Sequence, residues 1–129
     1  MAKKIILDAS ALLALLQEEP GYEQVEKVLP HALLSTVNFS EVIAVLINIG
    51  LSPDEAKNIA SEFINEIIPF SFDQALQAAF LRKETKPHGL SFGDRACLAL
   101  AKLKKIEIMT ADKTWAKLKI EGLTIHVIR

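Results

Sequence analysis

Apolar positions in this chain fall into two kinds of pattern. Some are short unbroken runs of three to five residues. Others recur at helical spacing over ten or more positions. Short apolar stretches, several of them unbroken, predict strands at Lys4–Leu7, Ala32–Ser35, Ile67–Phe70, Glu107–Met109 and Leu123–Val127. The spaced pattern predicts helices at Ala9–Gln17, Tyr22–Leu29, Asn38–Ile49, Asp73–Lys83 and 94–104, with a short one at Asp112–Leu118. Pro20-Gly21 breaks the first helix from the second, and Gly50 closes the third. Ser52-Pro53-Asp54-Glu55 starts a further helix running to about Asn65: a serine cap, proline at the first helical position and acids in the first turn. The stretch "ETKPHGL" reads as a loop. Strands alternate with helices, and several strands are apolar on both faces. That combination predicts an α/β fold with a central parallel sheet covered on both sides by helices. Ligands in such sheets bind at the carboxyl ends of the strands, beside helix N-termini.

Length and composition narrow the class. The 129 residues make one domain of ordinary size, residues 1–129, and half of them are hydrophobic, enough for a substantial core. No apolar run approaches the roughly 18 residues that span a bilayer, so no membrane role is expected. Asp8 interrupts the N-terminal apolar stretch and no clean cleavage site follows. It reads as a strand entering a helix, and the protein as cytoplasmic. The single cysteine, Cys97, reads as a small core residue, and His31, His88 and His126 share no ligand spacing. The net charge of −1 is uninformative, but its distribution is not. Residues 1–81 carry 4 basic and 11 acidic side chains, and residues 82–129 carry 11 basic and 5 acidic. The second half could face a polyanion; the plainer reading is a set of solvated helix faces.

Four acids occupy the start of helical segments: Asp8, Glu41, Asp94 and Asp112. Taken singly, each reads as a helix cap. Asp8 and Asp112 suit plain N-caps, Asn38 with Glu41 suits a variant capping box, and Ser91 with Asp94 suits another. Taken together they change the reading, because a doubly wound sheet brings such positions to one edge. Clustered carboxylates repel one another, and a hard divalent cation with oxygen ligands relieves that repulsion. Metal-bound water is a competent nucleophile near neutral pH. Carboxylates without a nucleophilic Ser, Cys or His therefore point to metal-assisted hydrolysis of a phosphodiester.

At these residues the sequence resembles the PIN-domain family, and in particular the VapC-type toxin of VapBC toxin–antitoxin pairs. "LDASALLALLQEEPG" at 7–21, "STVNFSEV" at 35–42, "SFGDRACLALA" at 91–101 and "TADKTW" at 110–115 resemble the family's four acidic blocks, in order. The resemblance implies a three-layer α/β/α fold with strand order 3-2-1-4-5. It implies an endoribonuclease dependent on Mg²⁺ or Mn²⁺, with Asp8, Glu41, Asp94 and Asp112 as catalytic residues. Asp8, Asp94 and Asp112 match metal ligands, and Glu41 a residue that holds or orients water. Ser10 and Thr110 match polar positions that support the carboxylates. It also implies an RNA substrate, a VapB-type antitoxin partner and a homodimer. Helix 38–49 and the stretch 73–83 have apolar surface to spare for a partner.

Arg95 is a candidate for contact with RNA phosphate, against the plainer reading of a salt bridge. Trp115 could stack on a base; its spacing with Leu118 favours packing. A haloacid-dehalogenase-type phosphatase would need an aspartate where Ser10 stands. A receiver domain would need an acidic pair and a phosphoacceptor aspartate after the third strand, where only Asp73 is offered. No Gly-rich phosphate loop is present. The alternatives left are an RNA-binding or assembly module of the same fold with structural acids, and an RNA-processing nuclease outside a toxin–antitoxin pair.

Overall fold

A computed structural model describes residues 3–129. Its elements are β1 (Ile5–Leu7), α1 (Ala9–Leu16), α2 (Tyr22–Val28), β2 (Ala32–Ser35), α3 (Thr36–Asn48), α4 (Pro53–Glu62), β3 (Glu66–Ile68), α5 (Phe72–Phe80), α6 (Arg82–Thr85), α7 (Phe92–Lys104), β4 (Glu107–Thr110) and β5 (Ile125–Val127). Three 3-10 turns, at Leu29–His31, Lys86–His88 and Lys113–Lys117, complete the path. The strands form one sheet in the order β3-β2-β1-β4-β5, and every pairing is parallel. This is the predicted three-layer α/β/α arrangement.

Alternation along the strands sorts the core into two halves. Ile5 and Leu7 of β1, Ala32 and Leu34 of β2, and Met109 of β4 point to one face. There they pack with Leu12 of α1, Val25 of α2, Val42 and Leu46 of α3, and Ala56 and Ala60 of α4. Ile6, Leu33 and Ile108 point to the other face, against Ala78 of α5, Cys97–Ala101 of α7 and Trp115. Both faces are covered, which is why these strands read as continuous apolar runs. The edge strands β3 and β5 are only partly buried. Polar pairs line the amino ends of the strands: Lys4 with Glu66 at 3.0 Å, and Glu107 with both Lys3 and His126.

Several boundaries differ from the sequence reading, each for a local reason. Helix α3 starts at Thr36 because Ser35 is its N-cap, accepting from the Val37 N–H at 3.1 Å. Asn38 is therefore not a cap; it sits inside the helix, buried. The predicted loop over "ETKPHGL" holds the end of α6 and the turn Lys86–His88. The short helix after Asp112 is a 3-10 turn, with Asp112 as its N-cap. The Ser52–Glu55 and Ser91–Asp94 capping boxes both form with reciprocal bonds.

The corner between α1 and α2 depends on Gly21. Its φ is +91°, and a Cβ there would overlap the Ile128 backbone carbonyl. Gln24 and Arg129 bond across the same corner, to the Ile128 and Pro20 carbonyls. Gly122 has a similar φ of +85° but open space around it. Gly21→Ala should therefore destabilise by more than the ~1 kcal/mol of backbone strain expected for Gly122→Ala. Urea midpoints of the two variants check this, and equal losses would remove the packing argument.

Candidate active site

The carboxyl ends of β1, β2 and β4 feed directly into helical segments, so three helix mouths open at one edge of the sheet. Asp8 is the N-cap of α1, with Oδ1 accepting from the Ala11 N–H at 2.9 Å. It is only 3% exposed. Thr110, at the end of β4, donates to Asp8 Oδ2 at 2.6 Å. The Ser10 hydroxyl lies 2.8 and 2.9 Å from the two oxygens. Ser10 has one hydrogen and serves one oxygen at a time, so the carboxylate keeps a lone pair free for a further ligand. Ser10 Oγ also accepts the Ala111 N–H at 2.9 Å, and Thr110 Oγ1 accepts the Asp112 N–H at 3.1 Å. The two hydroxyls thus tie Asp8 to the segment that carries Asp112. Asp112, half-buried, spends Oδ1 on the Thr114 N–H at 2.9 Å.

Glu41 and Asp94 meet where α3 and α7 touch. Asn38, 1% exposed, donates from Nδ2 to Glu41 Oε1 at 2.7 Å and to the Gly93 carbonyl at 3.0 Å. Two acceptors fix the orientation of that amide and leave its Oδ1 buried without a partner. Gly93 gives the Glu41 carboxylate its place: a Cβ there would overlap it and displace the Glu41 side chain. Asp94 follows at the third position of α7, its Oδ2 accepting from the Ser91 N–H at 2.9 Å and its own N–H bonding Ser91 Oγ at 3.2 Å. A concavity between the two helix mouths is lined by Thr36, Ser40, Glu41, Ser91, Phe92 and Gly93.

Electrostatics record how close these acids are. Burial pushes the Asp8 carboxyl up to about 6, against the lowering effect of Thr110, Ala11 and Ser10, and the charge of Asp94 adds to the rise. Burial also raises Glu41, opposed by the Asn38 hydrogen bond and reinforced by Asp94. Cys97, on the next turn of α7, is pushed up by burial first and then by Asp8, Asp94 and Glu41 together. Its role is that of a buried core thiol. Three of the four sequence-nominated acids therefore share one field. Asp112 joins them through the Thr110 bridge.

The donor chemistry fits a hard divalent cation: carboxylate oxygens, two of them at raised proton affinity that a cation would offset. The side chains do not stand in a finished cage. Among the described residues, no three His, Cys, Asp or Glu groups converge closely enough to hold an ion as placed. Asp94 and Asp112 each spend one carboxylate oxygen on a helix cap and keep the other.

Arg95 turns away from the acids. It donates from Nη1 to the Ala78 carbonyl of α5 at 3.0 Å and lies over the Phe92 ring at 5.7 Å. Trp115 is in the core, 1% exposed, with an unpaired Nε1. Asn38 and Gly93 were missed as site residues. The sequence pattern of Asn38 three positions before Glu41 carried a signal, but it suggested a cap. Nothing in the sequence shows that Gly93 faces Glu41, since that contact joins residues 52 apart.

The Asp8 shift has a consequence for stability. Its folded-state pKa of about 6 exceeds the ordinary 3.8, so the folded chain binds the proton more tightly. The resulting stabilisation is full below about pH 4 and is lost as pH rises through 6. In chelator, the protein should gain about 1 kcal/mol between pH 7.5 and 5 from this group. Asp8→Asn should remove that part of the pH dependence. Urea melts of both proteins across this range are the check, and parallel pH curves would contradict the assignment.

Comparison with known proteins agrees with the fold. Residues 5–121 match the family model described as PIN domain. No curated protein matches the sequence. Among solved structures, a toxin–antitoxin complex from Klebsiella pneumoniae is 24% identical, with a TM-score of 0.72 over 94% of this chain and 96% of that one. VapBC2 from Rickettsia felis, bound to a DNA fragment from its promoter, is 17% identical, with a TM-score of 0.74 over 95% and 97%. The sarcin–ricin-loop-cleaving toxin VapC20 of Mycobacterium tuberculosis is 19% identical, with a TM-score of 0.72 over 92% and 98%. With its parallel 3-2-1-4-5 sheet and a family match over nearly its whole length, the chain belongs to the PIN-domain family.

Proposed function

We propose that this PIN domain, residues 1–129, is a divalent-metal-dependent endoribonuclease acting as the toxin of a VapBC-type pair in the cytoplasm. The single observation that carries the reading is the shared field of Asp8, Glu41 and Asp94 at the helix mouths, with Asp112 tied to Asp8 through Thr110. A resident Mg²⁺ or Mn²⁺ would supply an acidified water and charge stabilisation on the scissile phosphoryl group. Asp8, Asp94 and Asp112 would hold it. Ser10 and Thr110 hold the Asp8 carboxylate in one orientation against its burial cost. Asn38 occupies one oxygen of Glu41, leaving the other to orient the attacking water and accept its proton. Chains solved together with antitoxins share this fold, and one related toxin cleaves RNA, which supports the toxin reading over a purely structural role for the acids.

Two apolar surfaces support the expected partners. A groove formed by Leu15 and Leu16 of α1, Leu29, Ile59 of α4 and Phe63 just after it carries Glu18, Glu26 and Glu62 on its rim. That chemistry suits an antitoxin segment with apolar and basic side chains. On α5, Phe72, Leu76 and Phe80 form an exposed stripe at four-residue spacing. Such a stripe suits a second copy of the chain. Phe80→Glu should shift the chain from dimer to monomer in sedimentation. Phe63→Glu should abolish co-purification with the product of a small upstream gene. Failure of either shift would refute the corresponding surface.

The activity itself is tested by RNA cleavage with Mg²⁺ or Mn²⁺, using antitoxin-free protein and Asp94→Asn. The variant should lose about 100-fold or more, since even residues supporting metal ligands cost 10- to 100-fold. Mn²⁺ should also raise the melting temperature of wild type and leave that of the variant unchanged. Equal cleavage by both proteins, or a variant weakened equally at every metal concentration, would favour the acids as caps.

A further inference from the structure

The charge imbalance between the two halves of the sequence becomes an imbalance between the two faces of the sheet. Helices α1, α2, α3 and α4 cover one face, where Glu18, Glu23, Glu26, Asp54, Glu55 and Glu62 are exposed against two lysines, Lys27 and Lys57. The other face is covered by α5, α6, α7 and the turn Lys113–Lys117. Of the five acids in residues 82–129, Asp94 and Asp112 belong to the candidate site and Glu107 is taken by Lys3 and His126. Glu84, Glu121 and Asp73 of α5 remain, against nine basic side chains, since Arg95 bonds the Ala78 carbonyl and Arg129 pairs with Glu19.

The fold divides those basic groups by position. Lys102, Lys104 and Lys105 lie at the far end of α7. Lys104 is ten residues beyond Asp94, roughly 15 Å along the axis, at the opposite edge of the sheet. A second group lies at the site. The turn Lys86–His88 packs against the turn Lys113–Lys117, with Leu81, Leu90 and Trp115 in one buried cluster beneath them. The first turn is tied to the mouth of α7 by the Leu90 N–H, which reaches the Thr85 carbonyl at 3.4 Å. The second begins at the residue after Asp112. Lys83, Lys86, Lys113 and Lys117 are all exposed. Among the described residues, no ion pair engages any of them. Unpaired lysines keep their full charge for a ligand.

We propose that these two packed turns form a phosphate track, and that the RNA backbone runs over Lys83, Lys86, Lys113 and Lys117 to reach the acids from the α7–β5 side. The inference rests on the ribonuclease reading for the identity of the polyanion. The acidic face on the other side repels a nucleic acid, so the chain presents one approach rather than two. The turns supply point charges on flexible stems, which suits contact with phosphate rather than reading of bases.

The test uses the full chain carrying Asp94→Asn, to prevent cleavage, and a fluorescein-labelled single-stranded RNA. Anisotropy titrations at several KCl concentrations give affinity and salt slope. Adding Lys86→Glu and Lys113→Glu should weaken binding about tenfold or more. It should also flatten the slope of log K against log[salt] by about 1.4, at 0.7 per lost contact. Lys104→Glu with Lys105→Glu makes the same charge change at the far end and should shift affinity by less than about twofold. Circular dichroism melts verify that each variant folds. Equal losses from both pairs, no loss from either, or no RNA binding at all would overturn the track. Cleavage by wild type is scored separately. Activity with an unaffected Lys86/Lys113 pair rejects the track and keeps the nuclease; selective binding without cleavage does the reverse.

Discussion

A carboxylate buried at the end of the central strand is the constraint on which the site depends. Asp8 is surrounded by apolar core on the β1–α1 turn, and its charge is costly there. Three protein donors offset part of that cost, and they come from three places: the α1 backbone, Ser10 and Thr110. Thr110 can reach only because β1 and β4 pair with Leu7 opposite Met109. A slip of one residue would turn Thr110 to the other face and strand the charge. The register of the sheet and the shape of the site are thus one decision. The donors do not cancel the cost, since the Asp8 carboxyl remains near 6, and the remainder is what a bound cation would relieve.

Capping and chemistry use the same groups. Asp8, Asp94 and Asp112 each accept a backbone N–H at a helical N-terminus. The cap holds the carboxylate at the edge of the sheet and leaves it an unused lone pair. The helix start positions the ligand. A cap reading and a ligand reading of these residues are compatible, because they draw on different lone pairs. The conflict is only geometric. As the side chains stand, no three acidic, His or Cys groups converge among the described residues.

The second acidic pair rests on a close helix approach. Gly93 of α7 lets the Glu41 carboxylate of α3 lie against its backbone, and Asn38 clamps both from the buried side. A side chain at position 93 would move the Glu41 carboxylate out of this arrangement. Arg95, directly after it, serves the opposite side of the helix, pinning α7 to α5. Three consecutive residues thus face three environments, as the 100° step of a helix requires.

Much of this was written in the sequence. The unbroken runs at Ile5–Leu7 and Ala32–Ser35 marked strands covered on both faces, and alternation with helices implied the parallel sheet. Ser52 and Ser91 announced their capping boxes because such bonds join residues three apart. Asp8, Asp94 and Asp112 stood out for the same reason, each at a helix-start signal that forms; the signal beside Glu41 does not, since Glu41 lies in the second turn of α3. Local chemistry determines these features, and local chemistry is what a sequence displays. Tertiary structure alone decided the rest. Asn38 looked like a cap until the end of β2 put Ser35 in that place. The 3-10 form of Lys113–Lys117 depends on Trp115 docking into the core. The contact of Gly93 with Glu41, the bridge from Asp8 through Thr110 to Asp112, and the packing of two lysine-bearing turns all join residues from about 25 to 100 apart. Such contacts follow from strand order and register, and no residue pattern records them in advance.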